Sequence, residues 1–147
     1  SGPTPAAQAT AYLLRPSLAD LRLTTDVVAK LGQAGQTILD ARATPRFKGE
    51  VEPMDPVAGH IPGALNRPFA MNIGADGLFK PASQLRDEFE TLLAGRDPAT
   101  VVHHCGSGVS AVPNILAMEV AGLGSTALYA GSWSEWCTTP GLPCAKG

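Results

Sequence analysis

The sequence has few cysteines, no surplus of positive charge and no long apolar run, and each shortage removes a class of function. Cys105, Cys137 and Cys144 form an odd set with no C-x-x-C pair and no histidine at zinc-finger spacing, which excludes a disulfide scaffold and a structural zinc site. Lys and Arg number 11 against 13 Asp and Glu, a formal charge of −2. No sequence-wide field therefore gathers nucleic-acid phosphates or anionic lipid, although a local anion site is compatible with that balance. No apolar stretch approaches the roughly 18 residues that span a bilayer, and no basic segment followed by a hydrophobic one stands at the start. Glycine (16) and proline (13) make up about a fifth of the chain, below the level of low-complexity sequences. The expectation is a folded domain in a reducing, cytoplasmic setting, with no nucleic acid and no membrane as partner. The opening Ser1-Gly2-Pro3, in place of Met, suggests a processed chain, a tag remnant or a fragment of something longer.

What is present is enough apolar residue, 44% of 147, to bury one core across two or three layers. Residues 1–16 hold three prolines among small and polar residues and read as an extended linker, with the domain over 17–147. Thr24-Thr25-Asp26 offers N-cap chemistry for a short helix through Val27, Val28 and Leu31, stopped at Gly32 or Gly35. Thr37 to Ala41 reads as a buried strand, and a long loop runs from Ala43 to about Pro62. At that length a loop in a compact domain is usually functional. Ala64-Leu65-Asn66 is a candidate short strand. Leu85, Phe89, Leu92 and Leu93 keep the spacing of an amphipathic helix closed by Gly95. Thr100 to His104 is a strand, Ser110 to Ala121 a helix ended by Gly122, and Thr126 to Tyr129 a strand. Strands alternating with helices predict an α/β fold with a parallel sheet.

The chemistry concentrates in Cys105-Gly106-Ser107-Gly108-Val109-Ser110, between a strand end and a helix start. Ligands of open parallel sheets collect beyond the carboxyl ends of the strands, and a helix start offers unpaired N–H groups. Two glycines let the backbone curl so that successive amides face inward as an anion nest. Such a nest favours thiolate over thiol and would equally hold a persulfide anion. A cysteine after an apolar strand commonly packs as an inert small hydrophobe; on a glycine-rich turn feeding a helix, a nucleophile is expected instead, so Cys105 is the candidate. Ser107 either donates its hydroxyl to the sulfur or substrate, or merely favours the turn. Cys137 and Cys144 lie outside any such nest and read as bystanders. His103 and His104, adjacent on a strand, face opposite ways, so at most one approaches the sheet end; both read as structural. Arg46 either grips a substrate carboxylate or sulfonate through its planar fork or is a solvated surface residue.

Four stretches, in this order and spacing, carry a family resemblance: Asp40-Ala41-Arg42 with Arg46-Phe47; Gly59-His60-Ile61-Pro62-Gly63-Ala64; Cys105 to Ser110; and Gly131-Ser132-Trp133-Ser134-Glu135-Trp136. Together they make the chain after its linker resemble the C-terminal, catalytic half of two-domain rhodaneses and 3-mercaptopyruvate sulfurtransferases. The resemblance implies a rhodanese-like fold, a central parallel sheet flanked by helices on both faces. It implies a sulfurtransferase that moves sulfane sulfur from 3-mercaptopyruvate or thiosulfate to cyanide or a thiol. Cys105 corresponds to the persulfide carrier, Ser107 to a proton-relaying serine, and Arg46 to a substrate-gripping arginine. Gly106, Gly108, Val109 and Ser110 form the substrate loop, whose lack of charge votes for mercaptopyruvate. No metal or organic cofactor is implied. Nine residues beyond Arg46, where mercaptopyruvate enzymes commonly carry a second arginine, stands Asp55, whose carboxylate would repel that of the substrate. His60 reads as a loop-fixing residue, and an N-terminal rhodanese-like domain is a possible absent partner. Two further readings stay open: a sulfur-holding module that does not turn over, and a cysteine phosphatase or arsenate reductase. The last requires an arginine at the end of the loop to clamp an oxyanion, where this chain has Ala111.

Overall fold

The computed structural model describes residues 19–106 and 110–147. The expected linker, 1–16, and the loop residues Ser107, Gly108 and Val109 lie outside the described residues. Five strands form one sheet: β1 (Ala19–Arg22), β2 (Thr37–Asp40), β3 (Leu65–Asn66), β4 (Val101–His104) and β5 (Thr126–Tyr129). Their order is β1-β5-β4-β2-β3, and every pairing is parallel. Side chains on β2 alternate between the two faces, as the period of a strand requires. Ile38 therefore joins Val27, Phe47, Val102, Trp133 and Trp136 on one side. Leu39 joins Leu85, Phe89, Leu93, Val101 and Met118 on the other.

The helices are α1 (Thr24–Ala29), α2 (Thr44–Lys48), α3 (Ala82–Leu93), α4 (Val112–Val120) and α5 (Ser132–Thr138). The first core cluster takes its helical residues from α1, α2 and α5, and the second from α3 and α4, so both faces of the sheet are covered, as parallel sheets demand. The α/β reading therefore holds. Among the described residues no helix is long and apolar enough to cross a membrane.

Several local expectations change. The first helix begins one residue earlier: Leu23 is its N-cap, and its N–H donates to Asp26 Oδ2 at 2.7 Å, so Thr24 and Thr25 lie inside the helix. The segment 43–62 is not a plain loop, because α2 forms within it. Pro45 sets the first turn, Phe47 is buried, and Gly49 closes the helix at φ 79°. The helix after the cysteine loop starts at Val112 and not at Ser110. The sequence reading assigns no element to 19–22 or 132–138. β1 is a four-residue edge strand defined only by its register on β5, and α5 has modest helix-forming residues but buries Trp133 and Trp136 completely.

Candidate active site

The carboxyl ends of β2, β4 and β5 converge, and the chain leaving each one contributes to a single cavity. Its volume is about 360 Å³, and its walls include Arg42 and Arg46 after β2, Cys105, Gly106 and Ser110 after β4, and Ser134 in α5, with Met54, Asp55 and Phe69 completing them. Cys105, Gly106, Ser110 and Arg46 are thus brought together, as the sequence anticipates for parallel sheets. Ser107, Gly108 and Val109 lie outside the described residues. Cys137 and Cys144 do not line the cavity, and burial pushes both of their thiols up from the ordinary value.

Cys105 departs from one expectation. It is only 2% exposed and packs with Ala41 and Ala111, and Leu128 lies against that small cluster. The glycine-rich turn does not lift it out of the core, because β4 is central and both flanking chain exits close over its end. Its backbone is fastened on both sides. The Cys105 N–H donates to Ser132 Oγ at 3.1 Å, so this amide faces α5. The Cys105 carbonyl accepts from the Trp133 N–H at 3.0 Å and lies 3.0 Å from His104 Nδ1. The Ser134 N–H reaches the Gly106 carbonyl at 2.9 Å. Ser132 achieves this at φ 57°, a left-handed conformation uncommon for a residue with a Cβ. Its hydroxyl also donates to the Tyr129 carbonyl at 3.0 Å, which fixes the turn.

Beneath the loop is a buried ionic network. Arg42, 3% exposed, sets Nε against both Asp40 oxygens at 3.0 and 3.1 Å, and Nη2 at 2.7 Å from Oδ2. Nη2 also donates to the Gly59 carbonyl at 2.6 Å, and the guanidinium lies 5.0 Å from the centre of a Trp133 ring. His104 Nε2 is 3.7 Å from Asp40 Oδ2. Burial still lowers the His104 pKa, against the opposing pull of Asp40. His103 is more extreme: burial, then the neighbouring His104, brings it from 6.5 to about 3, and neither ring nitrogen has a hydrogen-bond partner among the described residues. Adjacent on β4, the two rings face opposite ways; His104 lies against Asp40 and Tyr129, and neither histidine lines the cavity. His60 behaves as a loop-fixing residue: Nδ1 is 2.7 Å from the Phe47 carbonyl, and the ring stacks on Phe47 at 3.9 Å.

Arg46 sits at the cavity wall against the cysteine loop. A Cβ at Gly106 would come within 3.3 Å of its Nη1, so this glycine allows the guanidinium to approach the backbone closely. Arg46 is half-buried and engaged, because Nη2 donates to Glu52 Oε2 at 3.0 Å and to Asp55 Oδ2 at 3.3 Å. Asp55 is in turn held by the Ser134 hydroxyl at 2.8 Å. The carboxylate that the sequence places against the donor is therefore held by Arg46 and Ser134, and it still lines the cavity. Burial pushes the Glu52 carboxyl up, but hydrogen bonds from the Asp55 and Met54 amides and from Arg46 outweigh it, and the net direction is down. Arg42, Glu52, Ser132 and Ser134 are absent from the sequence-based site. Arg42 and the serines stand inside the stretches that carry the resemblance, but nothing in their spacing reveals that Arg42 binds Asp40 and Gly59 or that the serines hold Cys105 and Gly106.

The Rhodanese-like domain model matches residues 23–139. The chain belongs to the rhodanese-like domain family. It is 56% identical over 119 residues to a protein of Pseudomonas aeruginosa named probable 3-mercaptopyruvate sulfurtransferase, with 81% of this chain and 42% of that protein covered. It is 44% identical over 119 residues to a putative thiosulfate sulfurtransferase of Mycobacterium tuberculosis, covering 79% of this chain and 40% of the relative. The rhodanese-like chain thus spans about two-fifths of the length of these curated relatives. Its fold is also that of an anaerobic ergothioneine biosynthesis enzyme from Chlorobium limicola, with a TM-score of 0.77 at 21% identity over 91% of this chain and 33% of that one.

Proposed function

We propose that this rhodanese-like domain is a sulfurtransferase in which Cys105 carries sulfane sulfur from 3-mercaptopyruvate or thiosulfate to cyanide or a thiol. The observation that carries the reading is the cavity itself: Cys105, at the end of the central strand, shares it with two guanidinium groups, Arg42 and Arg46. A small anionic donor and a sulfur nucleophile would meet there. The 56% identical relative named for mercaptopyruvate transfer supports the same assignment.

The Cys105 thiolate attacks the sulfur of mercaptopyruvate, and a sulfur–sulfur bond forms as the carbon–sulfur bond breaks. The electron pair leaves with the carbon as pyruvate enolate, which takes a proton to become pyruvate. With thiosulfate, the donor's sulfur–sulfur bond breaks and sulfite leaves with the pair. An acceptor then attacks the outer persulfide sulfur and the Cys105 thiolate is regenerated; cyanide yields thiocyanate. We assign the proton relay to Ser107, donor binding to Arg46, and stabilisation of the persulfide to the loop Gly106, Gly108, Val109 and Ser110. A second rhodanese-like unit N-terminal to residue 17 would complete the cleft, consistent with relatives more than twice as long as the matched region. The setting we assign is cytoplasmic, where acceptor thiols stay reduced.

A slower, sulfur-holding module is a second reading favoured by one observation, the 2% exposure of Cys105. Incubation with mercaptopyruvate or thiosulfate plus cyanide separates the two. Steady thiocyanate release that Cys105→Ser abolishes supports the enzyme. A single added sulfur without turnover supports the module, and neither signal sinks both.

A further inference from the structure

We infer that Asp55 is a specificity-determining residue that makes this cavity favour sulfur donors carrying a single negative charge over dianionic donors such as thiosulfate. The inference rests on the sulfurtransferase reading and adds to it the class of donor. The cations at the site are Arg42 and Arg46, and the carboxylates bonded to them are Asp40, Glu52 and Asp55. Two positive and three negative formal charges leave −1 before any donor arrives. Of the three carboxylates only Asp55 lines the cavity. Asp40 is fully buried beneath Arg42, and Glu52 Oε2 is committed to the Met54 and Asp55 amides at 3.0 and 2.9 Å as well as to Arg46.

A donor carboxylate seeking the Arg46 fork must therefore share it with Asp55 or displace it. Arg46 has donor capacity for this, since its Nε has no hydrogen-bond partner among the described residues, whereas Arg42 Nη1 already faces Glu52 Oε1 at 3.5 Å. Asp55 does not swing away readily, because Ser134, whose own amide is tied to the Gly106 carbonyl, holds its other oxygen. Mercaptopyruvate brings one carboxylate charge to this arrangement and thiosulfate brings two, so the repulsion from a fixed Asp55 is about doubled for thiosulfate. Like charges placed against a ligand are a recognised route to discrimination.

The test is Asp55→Asn, which removes the charge while leaving an oxygen for the Ser134 hydroxyl, assayed for thiocyanate formation with each donor at low and high salt. We expect the thiosulfate-to-mercaptopyruvate ratio of kcat/KM to rise about tenfold or more at low ionic strength, and the gain to shrink as salt screens the charge. Ser134→Ala, which releases Asp55 without removing it, should move the ratio the same way by a smaller factor. A merely structural role for Asp55 would lower both donors together. A ratio unchanged within about twofold in an active Asp55→Asn protein overturns this inference alone. No thiocyanate and no added sulfur from either donor, in both proteins, overturns the sulfurtransferase reading with it.

Discussion

The Ser132 hydroxyl accepts a hydrogen bond from the Cys105 N–H at 3.1 Å and donates one to the Tyr129 carbonyl at 3.0 Å, so a residue 27 positions away from the cysteine fixes the direction of its peptide. Replacing Ser132 by Ala leaves that amide and that carbonyl buried without their partner, a cost of about 1–3 kcal/mol, and leaves a Cβ in the left-handed region. Ser132→Gly loses the same hydrogen bonds but removes the left-handed penalty. Thermal unfolding should therefore place Ser132→Gly above Ser132→Ala, while sulfur transfer falls in both. Equal melting temperatures would show that the φ of 57° stores no strain.

Arg42 and Asp40 form a second dependence. Their side chains are 2% and 0% exposed, so Arg42→Ala strands a buried carboxylate, and urea unfolding should register a loss of about 3–5 kcal/mol. Arg42→Lys keeps the charge but not the fork that meets both Asp40 oxygens and the Gly59 carbonyl, and should recover only part of that loss. Full recovery by lysine would mean that charge alone matters here.

Acid stability follows from the two strand histidines. His103 is lowered from 6.5 to about 3 and His104 is lowered as well, chiefly by burial. Their native forms stay neutral while the unfolded chain takes up protons, so stability is complete above about pH 6.5 and falls as pH drops from there toward 3. Glu52 and Glu88, lowered from 4.5 because their hydrogen bonds outweigh burial, add a further loss only below about pH 4.5. The slope between pH 6.5 and 4.5 therefore belongs to the histidines. His103→Leu, which removes two buried nitrogens without hydrogen-bond partners among the described residues, should flatten that slope at little cost at pH 7. An unchanged urea midpoint across this interval would contradict the assignment.

Much of this arrangement is legible in the chain, and the part that is not has a physical reason. The spacing of Leu85, Phe89 and Leu93 fixes a buried helix face, because period and burial coincide there. The glycines around Cys105 mark a strand-to-helix turn for the same local reason. Ser132, Ser134 and Glu52 act across sequence gaps of 27, 79 and 6 residues. No periodicity encodes a backbone amide reaching a distant hydroxyl. The burial of Cys105 is likewise a consequence of the central position of β4, which only the assembled sheet order reveals. Asp55 is visible as an acidic residue in the sequence, yet its pairing with Arg46 depends on the loop after α2 folding back beside the cysteine.

The most direct test loads sulfur onto a protein whose only thiol is Cys105. Cys137→Ser and Cys144→Ser together remove the two bystanders, whose thiols burial pushes upward. Intact-protein mass after incubation with mercaptopyruvate should rise by one sulfur atom, and cyanide should remove it as thiocyanate in equal amount. A protein that gains no sulfur, or a further Cys105→Ser substitution that leaves the gain in place, would contradict the assignment of Cys105 as the sulfur carrier.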